Sequence, residues 1–162
     1  MAPRRRQVRR LSDSRGNSLV EAAILTPLLV LLTFAIVDFS AILYVDLALE
    51  NGVSQATRFG VTGAVISDPS GGGGYLSRTD SIKTAMRHAT PTLTIGDSAF
   101  AFAHIPSGGT TWVGGTGGPD AIERVTVTYT WTLLTPLLRP FFTNGGVTLQ
   151  VAGTMKNEGR FE

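Results

Sequence analysis

The chain contains no cysteine. Disulfides, thiolate metal sites and a cysteine nucleophile are therefore excluded. Histidine is nearly as scarce: His88 and His104 are the two present, and neither has a partner at metal-ligand spacing. No G-x-S-x-G occurs, so a hydrolase elbow is not signalled. The glycine clusters lack the Lys-Ser/Thr that a phosphate-binding loop requires. Asp68, Asp97 and Asp120 fall in loop-like stretches without the spacing of a calcium loop. No internal repeat is visible. The residues predict no enzyme, no metal and no cofactor.

Charge is also sparse, at 16% of residues, and unevenly placed. Residues 1–16 hold Arg4, Arg5, Arg6, Arg9, Arg10 and Arg15 against Asp13, a net of +5. The remaining 8 basic and 11 acidic side chains leave −3. The basic excess belongs to the N-terminal stub, no basic face remains elsewhere, and nucleic acid is not an expected partner.

What the chain has in abundance is apolar length. Residues 22–45 carry one charge, Asp38. As a helix they span about 36 Å, enough for a hydrocarbon core of about 30 Å. The arginines before this run, and Asp46 and Glu50 after it, predict a cytoplasmic N-terminus and an extracytoplasmic bulk. An ordinary secretory signal has its small-residue cut after the apolar region. Here the small residue, Gly16, lies before it, so trimming there leaves the apolar segment on the mature protein. Leu49, Val53, Ala56, Gly60 and Gly63 continue at spacings of four and three as a stripe of mostly small residues. One helix is expected from about Ser18 to about Gly63, with a kink at Pro27, which lacks an amide donor and crowds the preceding turn. Asp46 and Glu50, four residues apart with like charge, read as a solvated face.

Four consecutive glycines at 71–74 mark a loop or hinge. A short amphipathic helix follows, capped by Thr79 or Asp80, with Ile82, Ala85, Met86 and Ala89 on one face and Pro91 at its end. Phe100, Phe102 and His104 alternate with small residues as a strand. Residues 107–119 are a second loop with six glycines. Val125, Val127, Tyr129, Trp131 and Leu133 alternate with Thr126, Thr128, Thr130 and Thr132 in the clearest strand, and 147–155 alternates again. The expected fold class is α+β: a long N-terminal pilin-like helix, a short second helix and a small antiparallel β-sheet of about three strands. The expected divisions are a basic leader at 1–16, the long helix at 17–63 with its transmembrane part at about 22–45, a Gly-rich hinge at 64–79, and a small α+β extracytoplasmic domain at 80–162. The apolar connection 133–142 (LLTPLLRPFF) is expected to pack under the sheet as core; the other reading is an exposed patch for a neighbouring subunit or the bilayer surface.

Three stretches carry a family resemblance. Residues 15–45 (RGNSLVEAAILTPLLVLLTFAIVDFSAILYV) hold a glycine, a glutamate, an apolar run with an early proline, and a late acid followed by phenylalanine. Residues 47–60 add Asn51, Ala56, Arg58 and Gly60 in order, and 125–158 has a strand, a leucine–proline segment, a glycine turn and a final strand. In these the chain resembles TadE-like proteins, pseudopilins or minor pilins of the tight-adherence (Tad, type IVc) pilus. The resemblance implies cleavage of the Gly16–Asn17 bond by a prepilin peptidase. Glu21 becomes the fifth mature residue, able to neutralise the new amine of a neighbouring subunit. A carboxylate among packed apolar helices is costly unless so paired. The other reading of Glu21 is an interfacial acid favoured by the helix dipole. Asp38, deep in the span, either pairs with a partner subunit during assembly or reaches water at the outer interface. Further implied partners are the major pilin, other pseudopilins, the assembly platform proteins and the membrane. The implied location is the bacterial inner membrane, single-pass, with incorporation into a surface-attachment pilus as a further destination. A different class, an uncleaved membrane-anchored binding module, is the alternative.

Overall fold

A computed structural model describes residues 14–70 and 73–160. Most of the expected leader, residues 1–13, lies outside the described residues, as do Gly71 and Gly72 of the expected hinge and residues 161–162. The elements in chain order are α1 (Ser14–Val61), α2 (Arg78–Ala89), β1 (Phe100–Ile105), β2 (Val113–Gly114), β3 (Ile122–Thr132) and β4 (Gly146–Lys156). The chain divides into two compact units, Met1–Val37 and Asp38–Glu162, and α1 runs from the first into the second.

In the first unit every residue from Gly16 to Phe34 is exposed, although the segment is almost wholly apolar. Leu19, Ile24, Leu28 and Leu29 point to different sides and all stand free. A helix that is apolar all round either sits in a core or crosses a membrane; this one has no core around it. Its mean hydropathy reaches 2.4 over an 18-residue window, which is long and apolar enough to span a bilayer. Pro27 lies inside α1, and the helix continues through it.

In the second unit α1 becomes one-sided. Asp38, Val45, Leu49, Val53, Ala56 and Gly60 are buried at helical spacing, while Leu47, Glu50 and Gln55 face outward. This stripe meets Ile82 and Met86 of α2 and Val125, Val127 and Val151 of the sheet in one core. Gly63, at φ +71°, donates its amide to Gly60 and stops the helix in the left-handed conformation that glycine adopts at little cost. The expected end at about Gly63 is thus within two residues.

Helix α2 begins two to three residues earlier than its apolar pattern predicts. Ser77, rather than Thr79 or Asp80, is the cap: its hydroxyl accepts from the Asp80 amide at 3.1 Å. The glycine loop before it is pinched at its base, where Asp68 donates to the Gly74 carbonyl and Leu76 to that of Ile66.

The sheet is antiparallel throughout, in the order β2-β1-β3-β4. It has four strands instead of about three. The additional one, β2, is two residues long and sits in the six-glycine loop, too short for alternation to announce it. β3 directs Glu123, Val125, Val127, Tyr129 and Trp131 inward and its threonines outward, as the pattern requires. Opposite Val125 on β4 stands Gly153. A Cβ there would meet Thr57 Oγ1 of α1 and lie 2.8 Å from Val53 Cγ1. Gly153→Ala is therefore expected to destabilise the fold by about 1–3 kcal/mol through overpacking. Strand propensity alone gives the opposite sign, so the direction of the shift in thermal midpoint decides between the two.

The connection 133–142 corrects one expectation. Leu133 is buried, but Leu134, Leu137, Phe141 and Phe142 are exposed, so the segment is not core beneath the sheet. Two prolines and a series of tight turns close its backbone on itself, Leu138 donating to Thr135, Phe141 to Leu138 and Phe142 to Arg139. The side chains are thereby turned outward.

Candidate functional site

Gly16, Asn17 and Glu21 lie in the first two turns of α1, and all three are exposed. A side chain at Gly16 would meet nothing within 4 Å, so the Gly16–Asn17 bond is sterically open. It also lies in the helix's first turn, whose leading amides have no intrahelical acceptor; local unwinding there costs less than in the helix interior. Glu21 is the one charged residue from 17 to 37. In the uncut chain it sits past the first turn, where the dipole's hold on an acid has largely faded.

Asp38 is buried, with 2% of its surface exposed. Its Oδ1 accepts from the Leu134 amide at 2.8 Å and the Thr135 amide at 3.2 Å, and Oδ2 lies 3.3 Å from the latter. Two successive amides of the connection after β3 thus converge on one carboxylate of α1. The acid expected to seek a partner subunit or water has partners in its own chain. No sequence signal could point to them: the donors are backbone groups 96 and 97 residues away.

A second polar site was not foreseen. Arg78, the first residue of α2, donates to Glu123 Oε2 at 2.5 Å, to the Gly60 carbonyl at 2.7 Å and to the Gly117 carbonyl. One guanidinium therefore joins the C-terminal turn of α1, the start of β3 and the second glycine loop. Its charge near the last carbonyls of α1 also suits the helix dipole. Asn157, buried after β4, donates to the Gly117 and Gly118 carbonyls at 3.2 and 2.9 Å. His104 Nδ1 lies 3.0 Å from the Gly115 carbonyl. Burial pushes the Glu123 carboxyl above its ordinary range, against the pull of the Arg78 charge. Burial likewise draws Arg78 down, and Glu123 opposes that. The opposite charges at 78 and 123 stand 45 residues apart, which no local pattern connects.

This chemistry is that of a clasp. Its hydrogen bonds join elements, the carboxylate and guanidinium neutralise each other, and Glu123 Oε1 and Asn157 Oδ1 are buried without a hydrogen-bond partner. Among the described residues no group of three or more His, Cys, Asp or Glu converges. An open groove of about 460 Å³ between α1 and β4 is lined by Glu50, Val53, Ser54, Thr57 and residues 150–155. It brings together no pair of titratable groups.

Gly16, Asn17, Glu21, Pro27 and Asp38 all lie on α1, and the comparisons with known proteins speak to that helix. No curated protein and no solved structure matches the chain. Residues 16–58 match the family model described as TadE-like protein. The match takes in the exposed apolar helix, Asp38 and the stripe that packs on the sheet, and it ends before 125–158. Over residues 16–58 the chain is thus similar to the TadE-like family.

Proposed function

We propose that the protein is a minor pilin or pseudopilin of a Tad-type pilus, acting in assembly or priming of the fibre after a prepilin peptidase cuts between Gly16 and Asn17. The observation that carries this reading is an all-round apolar, fully exposed helix segment inside a TadE-like match, with Glu21 as its one charge. Such a segment has no role in a soluble globule. It serves as a single-pass anchor in the bacterial inner membrane, its arginines on the cytoplasmic side, and then as a packing surface among sibling helices. Cleavage leaves a cationic amine on Asn17. In an apolar bundle a carboxylate and an ammonium are each costly alone and tolerable together. Glu21 of one subunit then neutralises the amine of the next and sets the axial register. Pro27 supplies a bend or a loosened turn between Glu21 and the rest of the span. The partners are the peptidase, the major pilin, related pseudopilins and the platform proteins of the assembly machine; the work is structural, and the outcome is surface attachment.

The mature N-terminus tests this. Intact mass of protein extracted from membranes is expected to correspond to loss of residues 1–16, and Gly16→Lys is expected to abolish that loss because the peptidase requires a small residue at the cut. A wild-type chain that keeps its first 16 residues removes the pilin reading and leaves a permanently anchored binding module.

A further inference from the structure

We propose that residues 134–142 form a lipid-embedded foot, a loop that enters the outer leaflet of the bilayer beside the point where α1 emerges. The inference deepens the function proposed above and rests on the reading of α1 as a membrane anchor.

Position comes first. Asp38 is the first residue of the second unit, and the unbroken apolar stretch ends at it. Its carboxylate grips the amides of Leu134 and Thr135. The loop is therefore fastened to α1 at the residue where the unbroken apolar stretch ends. Surface chemistry comes second. Leu134, Leu137, Phe141 and Phe142 are exposed, Phe141 at 77%. On the same unit Phe39, Leu43 and Tyr44 of α1 are exposed as well. Residues 133–146 contain one cation, Arg139, and no acid, a balance suited to anionic headgroups.

The backbone supplies the third argument. Polypeptide enters hydrocarbon only if its amides and carbonyls are satisfied internally. The amide of Leu133 bonds to the Gly145 carbonyl, those of Leu134 and Thr135 to Asp38, and those of Leu138, Phe141 and Phe142 to carbonyls within the loop. Positions 136 and 140 are prolines and have no N–H to satisfy. Arg139 Nε donates to the Leu133 carbonyl at 2.9 Å. With five of its seven N–H groups paired inward, those of Leu137 and Arg139 left to headgroups and water, and its apolar side chains outward, the loop suits the interfacial region of the outer leaflet.

The far end of the same unit provides an internal control. β3 starts at the Glu123–Arg78–Gly60 clasp and ends at the foot. Gly60 is 22 residues beyond Asp38 on α1, about 33 Å along the helix. Trp112 precedes Val113, which pairs with His104, and His104 pairs in turn with Glu123. It therefore belongs to the clasp end.

The test uses the full chain in lipid nanodiscs of phosphatidylcholine and phosphatidylglycerol, with and without brominated acyl chains, and three single-tryptophan proteins. One carries Leu28→Trp and one Phe141→Trp, both with Trp112→Phe and Trp131→Phe; the third keeps Trp112 alone. Both introduced positions are exposed, and Trp131→Phe, at a residue packed against the core, is common to all three proteins, so its effect on folding is the same in each. Bromination is expected to quench fluorescence from positions 28 and 141 several-fold and to leave that of Trp112 unchanged. Quenching at position 28 without quenching at 141 overturns the foot and spares the anchor. No quenching at position 28 removes the anchor reading, and the foot with it. A blue shift at position 141 that needs two copies per disc and occurs without quenching assigns the patch to a second subunit, and likewise overturns the proposal.

Discussion

Arg78→Ala is expected to cost about 3–5 kcal/mol, the range found when one partner of a buried ion pair is removed. The reason is what the substitution leaves behind. Glu123 is 2% exposed, so its carboxylate stays in a poorly solvated site with no cation. The carbonyls of Gly60 and Gly117 lose their donor in the same step. Glu123→Gln removes the acid instead, keeps an oxygen that can accept from Arg78, and is expected to cost markedly less. Equal losses for the two variants in urea unfolding would mean that the clasp acts by packing alone. The pH dependence adds a sign. Burial holds the Glu123 carboxyl above its ordinary value of 4.5, so the folded protein takes up that proton more readily than the unfolded chain. Between 4.5 and the raised folded value, stability from this group falls as pH rises. Removing the Arg78 charge raises the carboxyl further, and the deficit of Arg78→Ala is expected to be smaller at about pH 5 than at about pH 8. Asp80 and Asp97 act in the opposite sense. Hydrogen bonds from Ser77 and from Arg87, respectively, hold them below 3.8, so their contribution is complete above that value and lost as pH falls through their folded values. A deficit that grows toward acid would contradict the assignment to Glu123.

Asp38→Ala is the second large effect, at about 3 kcal/mol. Hydrogen bonds to a charged group contribute roughly 1.5–3 kcal/mol each, and a buried donor left without a partner costs about 1–3. The alanine variant strands two amides, those of Leu134 and Thr135. Asp38→Asn retains one acceptor oxygen and is expected to lose about half as much. The local readout is hydrogen exchange. In the alanine variant the amides of Leu134 and Thr135 should exchange far faster, while those of the β3·β4 ladder keep their order of protection. If both amides remain as protected as in the wild type, the carboxylate is not what holds the loop. This result bears on the foot too: a released loop is no longer held at the level of the bilayer, and a tryptophan at position 141 should then report less contact with lipid.

Much of the architecture was legible before any coordinates because its signals are local. Threonines at 126, 128, 130 and 132 against Val125, Val127, Tyr129 and Trp131 can satisfy only a half-buried strand, since a strand's side chains alternate every residue. The apolar run within 16–37, bare of charge except for Glu21, dictates a helix that shuns water whatever surrounds it. The change from all-round apolar character to one-sided burial beyond Val45 follows from the spacing of Leu49, Val53, Ala56 and Gly60. Gly16, Asn17 and Glu21 could be nominated for the same reason: their meaning lies in order along the chain. What folding alone decided depends on groups distant in sequence or lacking any side-chain signature. Asp38 found backbone amides 96 and 97 residues on, and an amide looks the same in every residue but proline. Arg78 and Glu123 carry ordinary surface-type charges that only the closing of α2 over β3 makes a buried pair. The segment 133–142 has the composition of a core and the placement of a surface, because two prolines and a carboxylate on another element turned its side chains outward. Periodicity fixes which face of an element is apolar; which other element, or which solvent, that face meets is set by contacts that exist only once the chain has come together.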